Sequence, residues 1–494
     1  MLSLINRALK RVESTAIISE GDSYSYHQLL ESSEKIAQTL LDQQSDLQET
    51  RVAFMIDPGF DYVACQWGIW RAGGIAVPLC IFHPLPSLRY ALENTRAEIL
   101  IVSPPYQDII KPLAEELGIR YLELADLQKN SSSEKSLPEI SLERRAMILF
   151  TSGTTNQPKG VVTTHANIEA QIKTLVEAWQ WSSDDHILNV LPLHHVHGII
   201  NVTCCALWSG ATVEFLPKFE AETVISLFMK GEMNLFMAVP TIYFKLIAYC
   251  ENLDETQQKK LHQAFGHFRF MVSGSAALPV SVLQKWRKIS GHILLERYGM
   301  TEIGMAISNP YSGERRPGYI GFPLPGVVVR LVDEQDQPVE EGDPGEIQIQ
   351  GDSVFLEYWD NPKATKEAFT PDGWFRTGDI AAVIDGYYKI LGRNSVDIIK
   401  SGGYKISALE IEEIIRSHPD ISDCGVIGIP DEEWGEVVGA CLVTANKSLD
   451  FKELTDWLKD RLPGYKIPRK FIIRDDLPRN TLGKVTKNEL KKEF

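Results

Sequence analysis

The segment 151–160 combines residue types that bind phosphate. It reads Thr-Ser-Gly-Thr-Thr-Asn-Gln-Pro-Lys-Gly and directly follows the apolar run 146–150, which we predict to be a buried strand. Glycine and small hydroxyl residues leave backbone N–H groups accessible to a phosphate chain, and Lys159 adds a cation. Because Lys159 precedes the last glycine and no Ser or Thr follows it directly, this is not a Walker A loop. The alternative interpretation is a solvated turn rich in serine, threonine and glycine.

Seven further short motifs follow this loop along the chain. They are Leu193-His-His-Val-His-Gly198, Ser273-Gly-Ser-Ala-Ala277, Arg297-Tyr-Gly-Met-Thr-Glu302, Arg376-Thr-Gly-Asp379, Gly392-Arg393, Lys400-Ser-Gly-Gly-Tyr404 and Arg479-Asn-Thr-Leu-Gly-Lys484. In this order the set resembles the adenylate-forming superfamily, which includes acyl-CoA synthetases, firefly luciferases and peptide-synthetase adenylation domains. The resemblance implies an ATP-dependent ligase that activates a carboxylic acid as an acyl-adenylate and then transfers the acyl group to coenzyme A (CoA).

The same resemblance implies a set of ATP-binding residues. They are Thr151, Ser152, Gly153, Thr154, Thr155, Lys159, Gly274, Ser275, Ala276, Tyr298, Gly299, Asp379 and Arg393. Tyr298 offers a flat aromatic face for adenine, and glycine lets backbone approach the edge of the base. Asp379 is assigned to the ribose hydroxyls, and Arg393 to the same sugar as a donor.

Four residues are assigned to catalysis by resemblance: Lys484, Thr301, Glu302 and His195. Negative charge gathers at the α-phosphorus as pyrophosphate leaves, so a positioned cation is the main catalytic resource. Lys484 would reach the substrate carboxylate and the α-phosphate, and Thr301 would donate to that phosphate. Glu302 is a hard oxygen ligand suited to Mg²⁺. For Lys484 the alternative is a solvated lysine in a lysine-rich tail.

The C-terminal motifs imply a mobile lid and a path for CoA. Lys400, Gly402, Gly403 and Tyr404 resemble the strand along which the pantetheine arm enters. The hinge would lie directly after Gly392-Arg393. One extra residue separates the arginine from the following acid, so the pivot is one of residues 394–396.

Arg297 is the residue that bears on the identity of the acid. It precedes the predicted adenine-stacking tyrosine, where fatty-acid ligases usually carry a small or neutral residue, and with His197 and Met305 it is assigned to the acid pocket. A buried guanidinium requires a partner, and a second substrate carboxylate would bind it bidentately. The surrounding residues resemble malonyl-CoA and methylmalonyl-CoA synthetases. The alternative is an internal ion pair with Glu296 or Glu232.

Other functions compete with this hypothesis. A medium- or long-chain fatty-acyl-CoA synthetase would share the motifs, and so would a ligase that loads a carrier protein, although the chain ends ten residues after Lys484. A nucleotide sensor would not need that lysine. The cluster of His194, His195 and His197 could suggest a metal, but thiol or carboxylate partners at matching spacing are not evident.

The elements that must position these residues predict an α/β enzyme. Short apolar runs at 51–56, 98–102, 146–150, 235–239 and 269–272 alternate with helix-period segments, which is typical of helix-covered, mainly parallel sheets. Period-two segments at 326–333 and 345–351 indicate a small β-barrel-like unit at about 318–393. We predict an adenylation domain over 1–393 and an α+β lid over 394–494, whose first helix begins with a capping box of Ser407 and Glu410.

Composition disfavours nucleic acid and a membrane as partners. The net charge of −16 disfavours nucleic acid, no apolar run approaches the roughly 18 residues of a membrane span, and seven cysteines without C-x-x-C spacing fit a reducing compartment. We therefore expect a cytoplasmic enzyme with ATP, CoA and a carboxylic acid as substrates and Mg²⁺ as cofactor.

Overall fold

The described residues form four sheets and the helices packed on them. The computed structural model describes residues 2–129, 136–151, 158–394, 396–402, 404–479 and 484–494. The strands are β1 Thr15–Ser19, β2 Asp22–Ser25, β3 Arg51–Met55, β4 Ile75–Pro78, β5 Ile99–Val102, β6 Arg120–Glu123, β7 Arg145–Thr151, β8 Lys159–Thr164, β9 His186–Asn189, β10 Thr212–Phe215, β11 Leu235–Ala238, β12 Phe270–Ser273, β13 Leu295–Met300, β14 Gly304–Ser308, β15 Phe322–Pro323, β16 Val327–Val332, β17 Gly345–Gly351, β18 Glu357–Tyr358, β19 Phe375–Ile384, β20 Tyr387–Arg393, β21 Ile398–Ser401, β22 Tyr404–Ser407, β23 Asp423–Asp431, β24 Gly435–Val443 and β25 Lys470–Arg474.

The α-helices alternate with these strands through most of the chain. They are α1 Ser3–Ala8, α2 Tyr26–Leu41, α3 Phe60–Arg71, α4 Leu85–Thr95, α5 Gln107–Leu117, α6 Leu124–Lys129, α7 His165–Ala178, α8 Cys205–Ser209, α9 Ala221–Phe228, α10 Pro240–Cys250, α11 Glu255–Phe265, α12 Val280–Ser290, α13 Pro362–Ala368, α14 Ala408–Arg416, α15 Phe451–Lys459 and α16 Lys487–Leu490. A π-helix, His197–Cys204, runs directly into α8. Within the described ranges, no helix has the length and apolar character needed to cross a bilayer.

The two largest sheets are mainly parallel and carry many of the predicted site residues. One has nine strands in the order β15-β14-β13-β12-β11-β9-β10-β1-β2, and the other has seven in the order β18-β8-β7-β4-β3-β5-β6. Every residue of β4, β5, β11 and β12 is buried, because helices cover both faces. The five strands predicted from apolar runs are confirmed as β3, β5, β7, β11 and β12.

The small β unit is an open antiparallel sheet. Its strands pair in the order β16-β17-β19-β20, and along that path β20 is not paired back to β16, so the unit is a sheet rather than a closed barrel. The predicted period-two strands are confirmed as β16 and β17, which pair from Val327 opposite Gly351 to Val332 opposite Glu346.

The C-terminal part is an α+β unit with a sheet of its own. Strands β22, β21, β24 and β23 lie in that order, and β25 adds to β24 in parallel. The Ser407 side chain accepts the Glu410 N–H, as predicted, but the expected reciprocal bond from the backbone of Ser407 to the Glu410 side chain is replaced. The Glu410 carboxylate instead binds Lys466 at 2.7 Å, because a charge-assisted bond outcompetes a neutral donor. A domain boundary between Arg393 and Asn394 stays a prediction.

Two of the polar contacts between this unit and the rest of the described chain join residues distant in sequence. The Glu413 carboxylate on α14 accepts the N–H of Val280, the first residue of α12, at 3.0 Å. Lys405 on β22 pairs with Glu334 at 2.9 Å. The first of these contacts joins a negative charge to the positive end of a helix dipole, which stabilises the contact.

Candidate active site

The hairpin of β13 and β14 carries six of the predicted site residues. Arg297, Tyr298 and Gly299 lie on β13, Thr301 and Glu302 form the turn, and Met305 lies on β14. A β-carbon on Gly299 would stand 2.1 Å from the carbonyl oxygen of Gly304, so the close approach of the two strands requires glycine. Gln171 of α7 accepts the Met305 N–H at 2.8 Å, which fixes the far strand of the hairpin.

Tyr298, Asp379 and Arg393 form one hydrogen-bonded group. Asp379 on β19 lies opposite Arg393 on β20, and the Arg393 Nε donates to its carboxylate at 2.9 Å. The Tyr298 hydroxyl donates to the same carboxylate at 2.7 Å. Burial opposes the charged form of Arg393, but its bond with Asp379 outweighs burial and raises the pKa of Arg393. The group places an aromatic ring beside a charged pair, so three of the residues predicted to bind the nucleotide lie together.

Glu302 has a buried carboxylate, and one of its two oxygens accepts a hydrogen bond. Its Oε1 accepts the Tyr358 hydroxyl at 2.9 Å, and its Oε2 has no hydrogen-bond partner among the described residues. Lys159 lies over the Tyr358 ring, 4.7 Å from the ring centroid. Burial raises the pKa of Glu302, while the charges of Arg393 and Lys159 lower it. A carboxylate in this state suits a hard cation that neutralises it.

The predicted phosphate loop joins the antiparallel strands β7 and β8, and β18 pairs with β8 on its other side. Thr151 at the end of β7 pairs with Lys159 at the start of β8. The Tyr90 hydroxyl donates to the Pro158 carbonyl at 2.7 Å, next to Lys159. The predicted phosphate ligands Ser152, Gly153, Thr154 and Thr155 lie outside the described residues. The Lys159 end of the loop thus stands beside Tyr358, close enough for its charge to act on Glu302.

Arg297 is buried against the loop that follows β12. Only 5% of Arg297 is exposed, and a β-carbon on Gly274 would stand 2.3 Å from its Cζ. Ser275, at the left-handed φ of 68°, accepts from the Arg297 Nη2 at 3.4 Å and lies 3.2 Å from the His197 Nδ1. Burial lowers the pKa of Arg297 to about 9. Ala276 follows in the same loop.

Neither of the two acids considered as internal partners, Glu296 and Glu232, forms an ion pair with Arg297 in the described part of the chain. The Glu296 carboxylate accepts the Gly318 N–H at 2.9 Å, and burial raises the pKa of Glu296 to about 8. Among the residues that the structure describes, no carboxylate forms an ion pair with Arg297 and its Nε has no hydrogen-bond partner. The internal pair with Glu296 or Glu232 is therefore absent from the described part of the chain.

A line of histidines leads to this arginine. The ring centroids of His83 and His194 lie 5.8 Å apart, and those of His194 and His195 lie 4.1 Å apart. Burial lowers the pKa of His194 to about 2 and that of His195 to about 4, and burial with the nearby Arg297 charge lowers the pKa of His197. Neutral imidazoles can orient a carboxylate by hydrogen bonds without competing with Arg297 for an ion pair with it. In the described ranges, no three His, Cys, Asp or Glu side chains are arranged to hold a metal.

The predicted lid residues are held by contacts within the lid. The Lys400 N–H donates to Glu436 and the Gly402 N–H to the Trp434 carbonyl, and Tyr404 stacks on Tyr465 with ring centroids 4.5 Å apart. Gly403 lies outside the described residues. These contacts show how the hairpin is built, and its binding of CoA stays a prediction.

Lys484 lies near enough to Asp397, the residue after the predicted hinge, for its charge to act on that carboxylate. The Arg393 carbonyl accepts the N–H groups of Val396 at 3.0 Å and Asp397 at 2.8 Å, so the extra residue is absorbed in one tight turn. Asn394 donates to Gly378 at 2.9 Å, and Ser395 lies outside the described residues. Burial opposes ionisation of Asp397, yet the charges of Lys487 and Lys484 lower the pKa of this group.

Several residues of the site were missed from the sequence. Tyr358, Gln171, His83 and Lys487 belong to none of the eight motifs. Their roles depend on long-range contacts, such as the 56 positions between Glu302 and Tyr358. The π-helix that begins at His197 was missed as well, although such helices are frequent at functional sites.

Comparisons with known proteins agree with the motifs. A family model described as AMP-binding enzyme matches residues 5–359, and one described as AMP-binding enzyme C-terminal domain matches residues 410–484. The chain is 43% identical to mitochondrial malonate–CoA ligase of Bos taurus, covering 97% of this chain and 88% of that protein. It is 38% identical to malonate–CoA ligase of Arabidopsis thaliana, covering 97% and 86%.

A solved structure has the same architecture over its whole length. ATP-bound MatB from Rhodopseudomonas palustris superposes with a TM-score of 0.92 at 33% identity, covering 100% of this chain and 99% of that one. The similarity therefore includes both the large sheets and the C-terminal unit.

Proposed function

This chain belongs to the AMP-binding enzyme family and is an AMP-forming acid–CoA ligase, and from this premise we propose that its acid is malonate, with methylmalonate as the next candidate. ATP and CoA are its co-substrates. The first step joins a carboxylate oxygen of the acid to the α-phosphorus of ATP and releases pyrophosphate. In the second step the CoA thiol attacks the acyl carbonyl, loses its proton and displaces AMP.

The observation that carries the proposal is that the Arg297 guanidinium is buried without a carboxylate partner among the described residues. A buried charge without a partner costs several kcal/mol, and no described carboxylate meets it. A second carboxylate on the substrate would supply two parallel hydrogen bonds. The far end of a fatty acid is a methyl group, which cannot pair with this guanidinium and would leave its charge buried without a partner. The names of the relatives from Bos taurus and Arabidopsis thaliana support the same acid.

We assign the nucleotide to the group of Tyr298, Asp379 and Arg393. The Tyr298 ring would stack on adenine, and the Asp379 carboxylate would accept the ribose hydroxyls while Arg393 holds that carboxylate in place. Lys159 and Thr301 would meet the phosphates. Because Tyr298, Asp379 and Arg393 hydrogen-bond to one another, their side chains are already oriented before ATP binds. This lowers the conformational entropy that is lost on binding.

Mg²⁺ fits the donor set at Glu302. The carboxylate is buried and its Oε2 lacks a partner in the described residues, which is the state that a hard cation relieves. When bound, Mg²⁺ neutralises charge on the phosphates as pyrophosphate departs. Tyr358 orients the carboxylate through Oε1.

Lys484 is assigned to the adenylation step. An ammonium at the α-phosphate stabilises the charge that builds there. His195 and His197 would orient the reacting carboxylate, Met305 would line the acid pocket, and the hairpin with Lys400 and Tyr404 would receive the CoA arm. A cytoplasmic location is part of the proposal and is supported by the seven buried free thiols, which are typical of reducing compartments.

The test is CoA- and ATP-dependent pyrophosphate release with malonate, methylmalonate, acetate, octanoate and palmitate. We expect activity with the short dicarboxylates and its selective loss in Arg297→Ala. Arg316→Ala is the control, because Arg316 pairs with the exposed Glu314. If octanoate or palmitate is the preferred acid and Arg297→Ala changes little, the enzyme is a general acyl-CoA ligase and the malonate proposal is wrong.

A further inference from the structure

Lys487 is a buried lysine with two carboxylate partners. Its ammonium lies 2.6 Å from Asp397 Oδ1 and 2.7 Å from Glu412 Oε1, and 6% of its side chain is exposed. A lysine this deeply buried keeps its charge only when it is paired. Lys487 is also the first residue of α16, three positions after Lys484. It therefore anchors the segment that carries the proposed catalytic lysine.

The two partners connect Lys487 to different parts of the molecule. Glu412 lies on α14, where its Oε1 also accepts the Val426 N–H at 2.8 Å and its Oε2 meets Arg416 at 3.1 Å. This branch stays within the lid. Asp397 ends the tight turn after β20, and its Oδ2 accepts the Arg393 N–H at 3.1 Å. This branch leads to the strand that holds Asp379.

A continuous series of contacts therefore joins the tail to the nucleotide group. It runs from Lys487 through Asp397 to the backbone of Arg393, whose side chain holds Asp379. The turn is tightly packed, because a β-carbon on Gly392 would stand 2.4 Å from the Asp397 Cβ. Asp397 thus has little freedom to move relative to β20, and Lys487 is held to it.

We propose that Lys487 is a positioning residue for adenylation, and that its ion pair with Asp397 sets where Lys484 stands relative to the ribose pair of Asp379 and Arg393. The inference rests on the proposed role of Lys484. Lys487 itself touches no substrate. Its effect is confined to adenylation, the step in which the Lys484 ammonium must meet the α-phosphate. Thioester formation from a preformed acyl-adenylate does not include that step.

The test separates the two half-reactions in the full-length enzyme. Acid-dependent ATP–pyrophosphate exchange measures adenylation, and CoA consumption with synthetic acyl-adenylate measures thioester formation. For Lys487→Met we expect exchange to fall about tenfold or more in kcat with little change in the KM for ATP, since a displaced catalytic group costs rate. Thioester formation should stay within about threefold of wild type. Lys487→Arg should restore much of the exchange, because a guanidinium also reaches two carboxylates.

Two further variants separate positioning from simple stability. Asp397→Asn keeps an acceptor for Arg393 and leaves Lys487 paired with Glu412, so it should fold and show the same selective loss of exchange. Glu412→Gln keeps the Asp397 link and should retain exchange. A melting temperature lowered equally by Asp397→Asn and Glu412→Gln, with both half-reactions slowed in parallel, would show that Lys487 is only structural and would overturn the proposal.

The outcome also distinguishes this inference from the proposed function. Exchange is measured with whichever acid the wild type activates, so an error about malonate leaves the test intact. If Lys484→Ala keeps full exchange, the assignment of Lys484 fails and the positioning role fails with it. If Lys484→Ala is inactive while Lys487→Met and Asp397→Asn exchange at the wild-type rate, only the positioning role is wrong.

Discussion

The Cζ atom of Arg297 lies 2.3 Å from the point where a β-carbon on Gly274 would stand. The guanidinium therefore occupies space that only glycine leaves open. Ser275, the next residue, meets both Arg297 and His197. The loop after β12 thus shapes the proposed acid pocket through the small size of Gly274 and the hydroxyl of Ser275.

Gly274→Ala should displace the guanidinium and impair use of malonate. We expect kcat/KM for malonate to fall by about tenfold or more, which corresponds to about 1.4 kcal/mol, with a smaller change for acetate. Gly464→Ala is the control, because nothing beyond its two chain neighbours lies within 4 Å of a β-carbon there. Steady-state kinetics with both acids measures the effect, and an unchanged preference for malonate would contradict it.

Asp379→Ala should weaken ATP binding more than Tyr298→Phe. The first change leaves the Arg393 guanidinium without its carboxylate, whereas the second removes one hydrogen bond and keeps the ring. We expect the KM for ATP to rise about tenfold or more for Asp379→Ala and only a few-fold for Tyr298→Phe, since a single neutral hydrogen bond contributes about 1 kcal/mol. Equal KM values in the two variants would argue against the shared carboxylate.

Glu302→Gln should change the dependence of activity on Mg²⁺. A neutral amide is a weaker ligand, so half-maximal activity should need about tenfold more Mg²⁺. Because burial raises the pKa of Glu302, the wild type should need more Mg²⁺ as the pH falls and the carboxylate takes up a proton, whereas the variant should not. Titrations of Mg²⁺ at two pH values measure both effects. Tyr358→Phe should show a smaller shift, since it removes only the bond to Oε1.

Glu296→Gln should stabilise the fold at alkaline pH. Burial raises the pKa of Glu296 from 4.5 to about 8, so the folded state holds a proton that the unfolded state has released. Between these values the wild type loses about 1.4 kcal/mol of stability per pH unit, while the variant, which keeps the acceptor for Gly318, does not. Calorimetric melting temperatures at about pH 5 and pH 8 should diverge, and the exposed Glu314→Gln should behave like the wild type at both.

Local patterns were sufficient for much of the fold. The apolar run 235–239 became β11 because a strand buried on both faces needs no polar alternation. The period-two segment at 345–351 became β17 because one face of its sheet is more exposed. The capping box at Ser407 was half right, since Lys466 lies 56 positions away from Glu410 and its competition could not be read locally.

The motifs include residues that the structure groups together, but they leave out the residues that support them. Tyr298, Asp379 and Arg393 were each assigned to the nucleotide, and the structure brings them into one hydrogen-bonded group. Tyr358 stands in no motif, and only folding brings β18 beside the turn at Glu302. Lys487 is likewise outside every motif. In the sequence it is one of several lysines in the tail, and only the fold brings it to Asp397 and Glu412.

The π-helix at 197–204 sets the rotational phase of the segment that follows it. Its Thr203 hydroxyl donates to the carbonyl of Gly198, five positions back, at 2.9 Å, and the helix continues into α8, where the Trp208 carbonyl accepts from Arg7. Removing one residue here would turn α8 by about 100° relative to His197. Insertions and deletions in this stretch should therefore be far less tolerated than substitutions, because one residue more or fewer would rotate His197, a residue of the proposed acid pocket, relative to α8 and the N-terminal helix packed on it.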